Sequence, residues 1–247
     1  MGQRSGMSPE FSRCGYCPRV TRMGPTLLRL YDDARDRLLP TTVYLPTSGA
    51  RKSPLIVFGH GMWGHPRKFK WLFGRWAEAG YAVAAPAFPR TSDEDAPQSV
   101  LAEVVNQPAD VSFVVDQLLA RGIGDAGRVG VAGYSLGAET ALAVGLHPRY
   151  GDERIRAVVA IAGALFDPDF AADTLRPLPL LLIHGAEDTK RGRLREALTT
   201  YATAQEPKQL VMIEGAGHGI CEDDDPRPYA TSVAEVSAAF WNRYLRT

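Results

Sequence analysis

The stretch RVGVAGYSLGAETAL (128–142) holds Ser135 between Gly133 and Gly137, with Tyr134 and Leu136 as the intervening residues. A serine hydroxyl attacks a carbonyl only when a neighbouring base takes its proton, so it must stand clear of its own backbone. A G-x-S-x-G run between an apolar strand and a helix achieves this. The turn is sharp, the serine is held in a strained conformation with its oxygen above the sheet, and the flanking glycines let the strand and helix backbones pass without a Cβ between them. The same turn aims the Leu136 N–H, at a helix N-terminus, toward the place where an oxyanion would form. A Gly-rich turn in which Ser135 merely caps a helix has the same motif. The apolar strand before it and the helix after it favour the nucleophile. The base would be one of five histidines: His60, His65, His147, His184 and His218.

These groups need a scaffold that brings distant segments to one edge. LLPTTVYLP (38–46) reads as an early, antiparallel strand, and PLIVFGHG (54–61) as a strand buried on both faces. Phe69, Leu72, Phe73, Trp76 and Ala77 fall at helical spacing before a stop at Gly80. YAVAAPAF (81–88) is the next strand. Val111, Val114, Val115, Leu118 and Leu119 repeat the helical period, with Pro108 suited to the first turn. RVGVAGYS (strand), LGAETALAVGL (helix), AVVAIAGALF (157–166, strand), PLLLIHGAED (179–188, strand), RLREALTTYATA (helix), KQLVMIEG (strand) and PYATSVAEVSAAFWNRYL (helix) complete the chain. Alternation of this kind predicts an α/β fold: a mostly parallel, doubly wound sheet of about eight strands with helices on both faces. In such a sheet ligands bind at the carboxyl ends of the strands, where Ser135 lies. Residues 1–25 are polar, bear Gly and Pro and lack periodicity, so they read as a flexible tail before a single domain over 26–247.

Bulk properties remove several alternatives. With 247 residues and 45% hydrophobic content the chain suffices for one large core. Lys+Arg and Asp+Glu both number 28, which argues against a nucleic-acid or anionic-membrane partner. No apolar run approaches the roughly 18 residues of a membrane span, and the N-terminus lacks the apolar core of a signal peptide. Three cysteines, an odd and small number, fit a reducing cytoplasm. Cys14 and Cys17 have redox-motif spacing but lie in the tail, and a structural zinc would want more ligands than they and Cys221 supply. The acidic run 222–225 reads as a solvated cap to the closing helix. The sequence does not determine an oligomeric state.

The stretches VFGHGMWG, AEAGYAVAAPAFPRT, QPADVSFVVDQLL, RVGVAGYSLGAETAL, LLIHGAEDT and GAGHG, in this order and spacing, resemble the α/β-hydrolase superfamily. Within it they are similar to the dienelactone hydrolase-like branch, with its platelet-activating-factor acetylhydrolase-like and polyester-hydrolase-like serine esterases. The resemblance runs from about residue 26 to the C-terminus. It implies an order of nucleophile, acid and histidine, which selects His218 in the loop EGAGHGICEDDD as base. It also places the acid at Asp188, with Glu187 as neighbour and Asp167 and Asp169 as alternatives one strand earlier. The second oxyanion donor would be the backbone N–H of Met62. His60 and His184 then read as buried or bracing histidines, and His147 as a partner of a helix C-terminus. A dienelactone hydrolase in the strict sense carries a cysteine nucleophile; Ser135 departs from that pattern and argues against that specific activity.

The reaction implied is hydrolysis of a carboxylic ester through an acyl-enzyme, with no metal or organic cofactor and a small-molecule ester as partner. Candidate substrates are short-chain or aromatic acyl esters, short-acyl phospholipids, lactones and polyesters. Acyl transfer, thioester hydrolysis or perhydrolysis would use the same residues, and a non-catalytic ligand-binding member of the fold is the alternative of a different class. Trp63, Tyr134, Leu165 and Phe166, with Met62 and Leu136, are the apolar residues placed near Ser135 as substrate-binding candidates. About 15 residues separate the strands ending in AIAG and beginning PLLL, which leaves no room for a large cap domain.

Overall fold

The structure is a computed structural model and describes residues 24–47, 53–93, 101–165, 174–190, 193–223 and 227–246. Eight strands form one sheet: β1 (Thr26–Asp32), β2 (Arg37–Tyr44), β3 (Leu55–Gly59), β4 (Ala82–Pro86), β5 (Val129–Tyr134), β6 (Ile155–Ile161), β7 (Leu180–Gly185) and β8 (Lys208–Ile213). Their order is β1-β2-β4-β3-β5-β6-β7-β8. β1 and β2 are antiparallel, β2 joins β4 antiparallel, and every other pairing is parallel. The helices are α1 (Lys70–Glu78), α2 (Gln107–Ala120), α3 (Leu136–Leu146), α4 (Arg193–Thr203) and α5 (Arg227–Tyr244). Short 3₁₀ turns at Pro66–Phe69 and Leu101–Asn106 lead into α1 and α2.

The continuous apolar runs become central strands because both faces of the sheet are covered. Alternate side chains feed two cores. Leu55 and Val57 of β3 join α2 and α3 on one face, while Ile56 and Phe58 meet α1 and α5 on the other. Trp76 of α1 and Trp241 of α5 meet edge to face at 6.2 Å, and the Trp76 indole N–H donates to Ser237 Oγ at 2.9 Å. Gly80, at φ 96°, ends α1 as its position in the sequence implies, and Pro108 sits in the first turn of α2.

Strand β1 escapes the periodicity reading. Its inward positions include Asp32, while Leu27 and Tyr31 face outward, so TLLRLYD does not alternate apolar with polar. What makes it a strand is pairing with β2 through a tight turn, with Tyr31 opposite Leu38 and Asp36 in the left-handed region at φ 51°. The turn also presents Arg35 and Arg37 to α2. The Arg37 guanidinium bonds Asp110 at 2.7 and 2.6 Å and also bonds Glu103, and Arg35 bonds Asp110 at 2.8 Å. Burial raises the Asp110 pKa against the pull of both arginines. This ion cluster docks the segment 101–110 and so sets the position of Val104, which packs on Leu136 beside the turn at Ser135.

The excursion between β6 and β7 spans only residues 162–179, too short for a cap domain. Among the described residues, no helix is long and apolar enough to cross a membrane. Of the acidic run, Asp224 and Asp225 lie outside the described residues, while Asp223 accepts from the Trp71 N–H at 3.1 Å and donates its own N–H to the Lys68 carbonyl. It fastens the loop after β8 to the start of α1. Cys221 is buried in the core. The first strand begins at Thr26, and Cys14, Cys17 and Phe166 lie outside the described residues.

Candidate active site

All six parallel strands end at one edge, and four of the loops there hold a non-glycine residue at positive φ: Trp63, Arg90, Ser135 and Ala162. Such conformations cost roughly 1–3 kcal/mol each and persist only where the surroundings enforce them. Ser135 has φ 54°, ψ −115° and stands at the N-cap of α3, yet its side chain makes no cap bond. Its N–H donates instead to the Ile161 carbonyl at 2.9 Å, which pins the turn to the neighbouring strand.

The glycines explain how the turn is enforced. A Cβ on Gly133 would lie 1.9 Å from the Gly137 carbonyl oxygen, and one on Gly137 would lie 2.1 Å from that of Gly59. Strand β5, helix α3 and strand β3 therefore touch backbone to backbone at this point, and only glycine fits.

Freed from capping, the Ser135 hydroxyl meets His218. His218 Nε2 is 2.9 Å from Ser135 Oγ and His218 Nδ1 is 2.7 Å from Asp188 Oδ2. The second bond assigns the proton to Nδ1, which leaves Nε2 as an acceptor for the serine O–H. The Asp188 carboxylate is buried in the loop after β7, and its Oδ1 accepts from the Lys190 N–H at 3.0 Å. His184 approaches the same carboxylate, with Nε2 3.1 Å from Oδ2. The structure thus brings together the three residues chosen from sequence, 83 positions apart between Ser135 and His218 and 30 between Asp188 and His218.

The loop after β3 carries the other half of the site. Gly61 packs against Ser135 and Tyr134, so that a Cβ there would come within 3.2 Å of both side chains. Its carbonyl accepts from Gly64 N–H at 2.9 Å, and Trp63 N–H donates to Thr91 carbonyl at 2.8 Å. Among the described residues no carbonyl accepts from the N–H of Met62 or of Leu136. His60 braces the loop from beneath: Nδ1 bonds the Gly61 carbonyl at 2.8 Å and Nε2 accepts from the Phe88 N–H at 2.9 Å. Complete burial lowers its pKa to about 4, so it is neutral and fixed in one tautomer.

The remaining sequence candidates divide. Leu136 is buried with Val104 and Ala143, and Met62, Val105, Tyr150 and Leu165 pack around them. Trp63 is 59% exposed beside the loop. Tyr134 is buried, its ring 5.5 Å from Phe69 and 5.3 Å from the His218 imidazole. His147 stands at the C-terminal end of α3, where its Nδ1 accepts from the Arg149 N–H at 3.0 Å and organises the turn after the helix. Asp167 and Asp169 lie outside the described residues. Sequence reasoning missed the contribution of residues 101–106, whose only signal was a short run of apolar residues before Pro108.

An eight-stranded, mostly parallel sheet with a serine, histidine and aspartate assembled at its strand ends defines the α/β-hydrolase class. Within that class the chain belongs to the dienelactone hydrolase family, whose model matches residues 39–247, and it is accordingly a carboxylic ester hydrolase. Comparison with curated proteins finds no match. Solved structures share the fold. A ferulic acid esterase from Streptomyces cinnamoneus is 21% identical, with a TM-score of 0.74 over 93% of this chain and 92% of that one. Esterase 2 of Thermogutta terrifontis, phosphorylated by paraoxon, is 17% identical, with a TM-score of 0.70 over 94% and 97%. The esterase domain of a Rhodothermus marinus protein is 20% identical, with a TM-score of 0.66 over 90% and 100%.

Proposed function

We propose that Ser135 is the nucleophile, His218 the general base and acid, and Asp188 the orienting carboxylate of a serine esterase. One observation carries this: His218 bridges Ser135 Oγ and Asp188 Oδ2 at 2.9 and 2.7 Å, each ring nitrogen facing the partner its role requires. Ser135 Oγ bonds to the ester carbonyl carbon as its proton passes to His218 Nε2. The carbonyl oxygen becomes an oxyanion held by the N–H groups of Met62 and Leu136. Asp188 stabilises the imidazolium. As the tetrahedral adduct collapses, His218 returns the proton to the departing alkoxide oxygen, and the alcohol leaves an acyl-serine. Water then loses a proton to His218 as its oxygen bonds to the acyl carbon; the second adduct collapses by breaking the Oγ–carbon bond, His218 returns the proton to Ser135 Oγ, and the carboxylic acid leaves.

The apolar cluster of Val104, Leu136, Met62 and Leu165 beside Ser135 supports a short-chain or aromatic acyl group there. The exposed Trp63 ring offers a surface for an aromatic ester, the class that the name of the Streptomyces relative also suggests. A cytoplasmic setting, a small-molecule ester partner and catalysis without a cofactor complete the reading. The decisive test is hydrolysis of p-nitrophenyl acetate, butyrate and octanoate and of methyl ferulate by wild type and Ser135→Ala. Loss of turnover by about 10⁴ or more in the variant supports the assignment. Equal turnover sinks it.

A further inference from the structure

Behind the oxyanion loop runs a buried polar chain that the reaction scheme does not use. The Trp63 N–H donates to the Thr91 carbonyl at 2.8 Å. The Thr91 hydroxyl in turn accepts from Gln107 Nε2 at 2.9 Å. Gln107 Oε1 accepts from the Thr140 hydroxyl, which also lies 3.3 Å from the Leu136 carbonyl. Thr91, Gln107 and Thr140 are all buried. The chain therefore starts one residue after Met62 and ends one helical turn after Leu136. The two N–H groups assigned to the oxyanion are thus joined through a single amide on a third element, the start of α2.

A buried glutamine is a demanding choice for packing, since an amide with any end unpaired is strongly disfavoured and an apolar residue of the same size would fill the space. Here the amide is matched at both ends, donor to one hydroxyl and acceptor to the other, and such fully satisfied networks fix one geometry. The parallel bridge between Gly64 and Ser92 and the bond from Asp93 N–H to the Gly64 carbonyl tie the same two loops, but both lie on the far side of Trp63 from Met62. We infer that Gln107 is a positioning residue which sets the separation of the Met62 and Leu136 N–H groups, and with it the oxyanion hole. The inference rests on the serine esterase reading.

The test is Gln107→Leu, with Thr140→Val as the second variant should the first fold poorly, each measured on p-nitrophenyl butyrate with the concentration of competent sites titrated. Removing one oxyanion donor outright costs about 10²–10³ in kcat, so a displaced one is expected to cost roughly ten- to a hundredfold. KM should stay within about threefold, because the loss is confined to the transition state. Affinity for trifluoroacetophenone, whose adduct with Ser135 carries an oxyanion, should weaken by a similar factor. The acid-side midpoint of the kcat/KM profile should not move, since the His218–Asp188 pair is untouched. The double variant should lose less than the product of the single losses, as expected of one chain. A per-site kcat within about twofold of wild type in both single variants, or a loss of thermal stability with kcat retained, overturns the inference while Ser135→Ala stays inactive. Turnover that survives Ser135→Ala would overturn the underlying esterase reading instead.

Discussion

Gly137→Ala isolates the backbone contact on which the site depends. The added methyl carbon would stand 2.1 Å from the Gly59 carbonyl oxygen, 2.3 Å from the Gly59 carbonyl carbon and 2.6 Å from the His60 carbonyl oxygen. All three atoms are backbone, so no side chain can rotate away. Non-bonded carbon contacts settle near 3.5 Å, and even a compressed one requires the helix to retreat by about 1 Å. Overpacking of this kind costs about 1–3 kcal/mol. At roughly 2–4 °C per kcal/mol for a domain of this size, the melting temperature should fall by about 2–12 °C. The retreat also carries Leu136 away from the loop after β3, and a misplacement of about 1 Å can cost on the order of 10²-fold in rate. Circular dichroism melts and steady-state kinetics on p-nitrophenyl butyrate read the two effects. Gly74→Ala is the control: nothing lies within 4 Å of its methyl position inside α1, so it should leave kcat unchanged and add roughly 0.5–1 kcal/mol of stability. A Gly137→Ala enzyme with kcat within about twofold of wild type and an unchanged melting temperature would refute the close-packing argument.

Three further outcomes are expected. Asp188→Asn presents an N–H₂ or a weaker acceptor to His218 Nδ1, disfavours the productive tautomer and should lower kcat by about 10⁴ with little change in folding, read by burst kinetics and circular dichroism. His60 is neutral in the fold with a pKa of about 4 against 6.5 in the unfolded chain, so only the unfolded state takes up a proton between these values. Stability contributed above pH 6.5 is therefore lost as pH falls to 4, by up to about 3 kcal/mol, and His60→Gln should flatten that acid branch in urea titrations run at stepped pH. Arg37→Ala leaves Asp110 and Glu103 buried with much of their compensation removed, and should destabilise by about 3–5 kcal/mol in urea, more than any exposed arginine substitution.

The order of parallel strands and helices was legible because continuous apolar runs and 3.6-residue spacing follow directly from burial on two faces. Ser135 was legible from its glycines, whose close approaches leave no alternative residue. The choice of His218 and Asp188 came through family resemblance, since spacing alone does not say which of five histidines reaches the turn. Strand β1 was hidden because Asp32 faces inward to meet Arg35, a partner only the folded hairpin supplies.

The sequence by itself determined the local part of this protein: the strand–turn–helix that strains Ser135, the alternation that stacks βα units, and the glycines where backbones touch. These depend on contacts within or between adjacent segments, which residue type and spacing encode. Tertiary structure alone decided which imidazole meets Ser135 and which carboxylate meets that imidazole. It likewise decided how Thr91, Gln107 and Thr140 join into one chain, and that an ion cluster on an antiparallel hairpin holds the apolar segment against Leu136. Those arrangements arise where separate loops converge on one sheet edge, and distances across that edge are fixed by the packing of the whole domain.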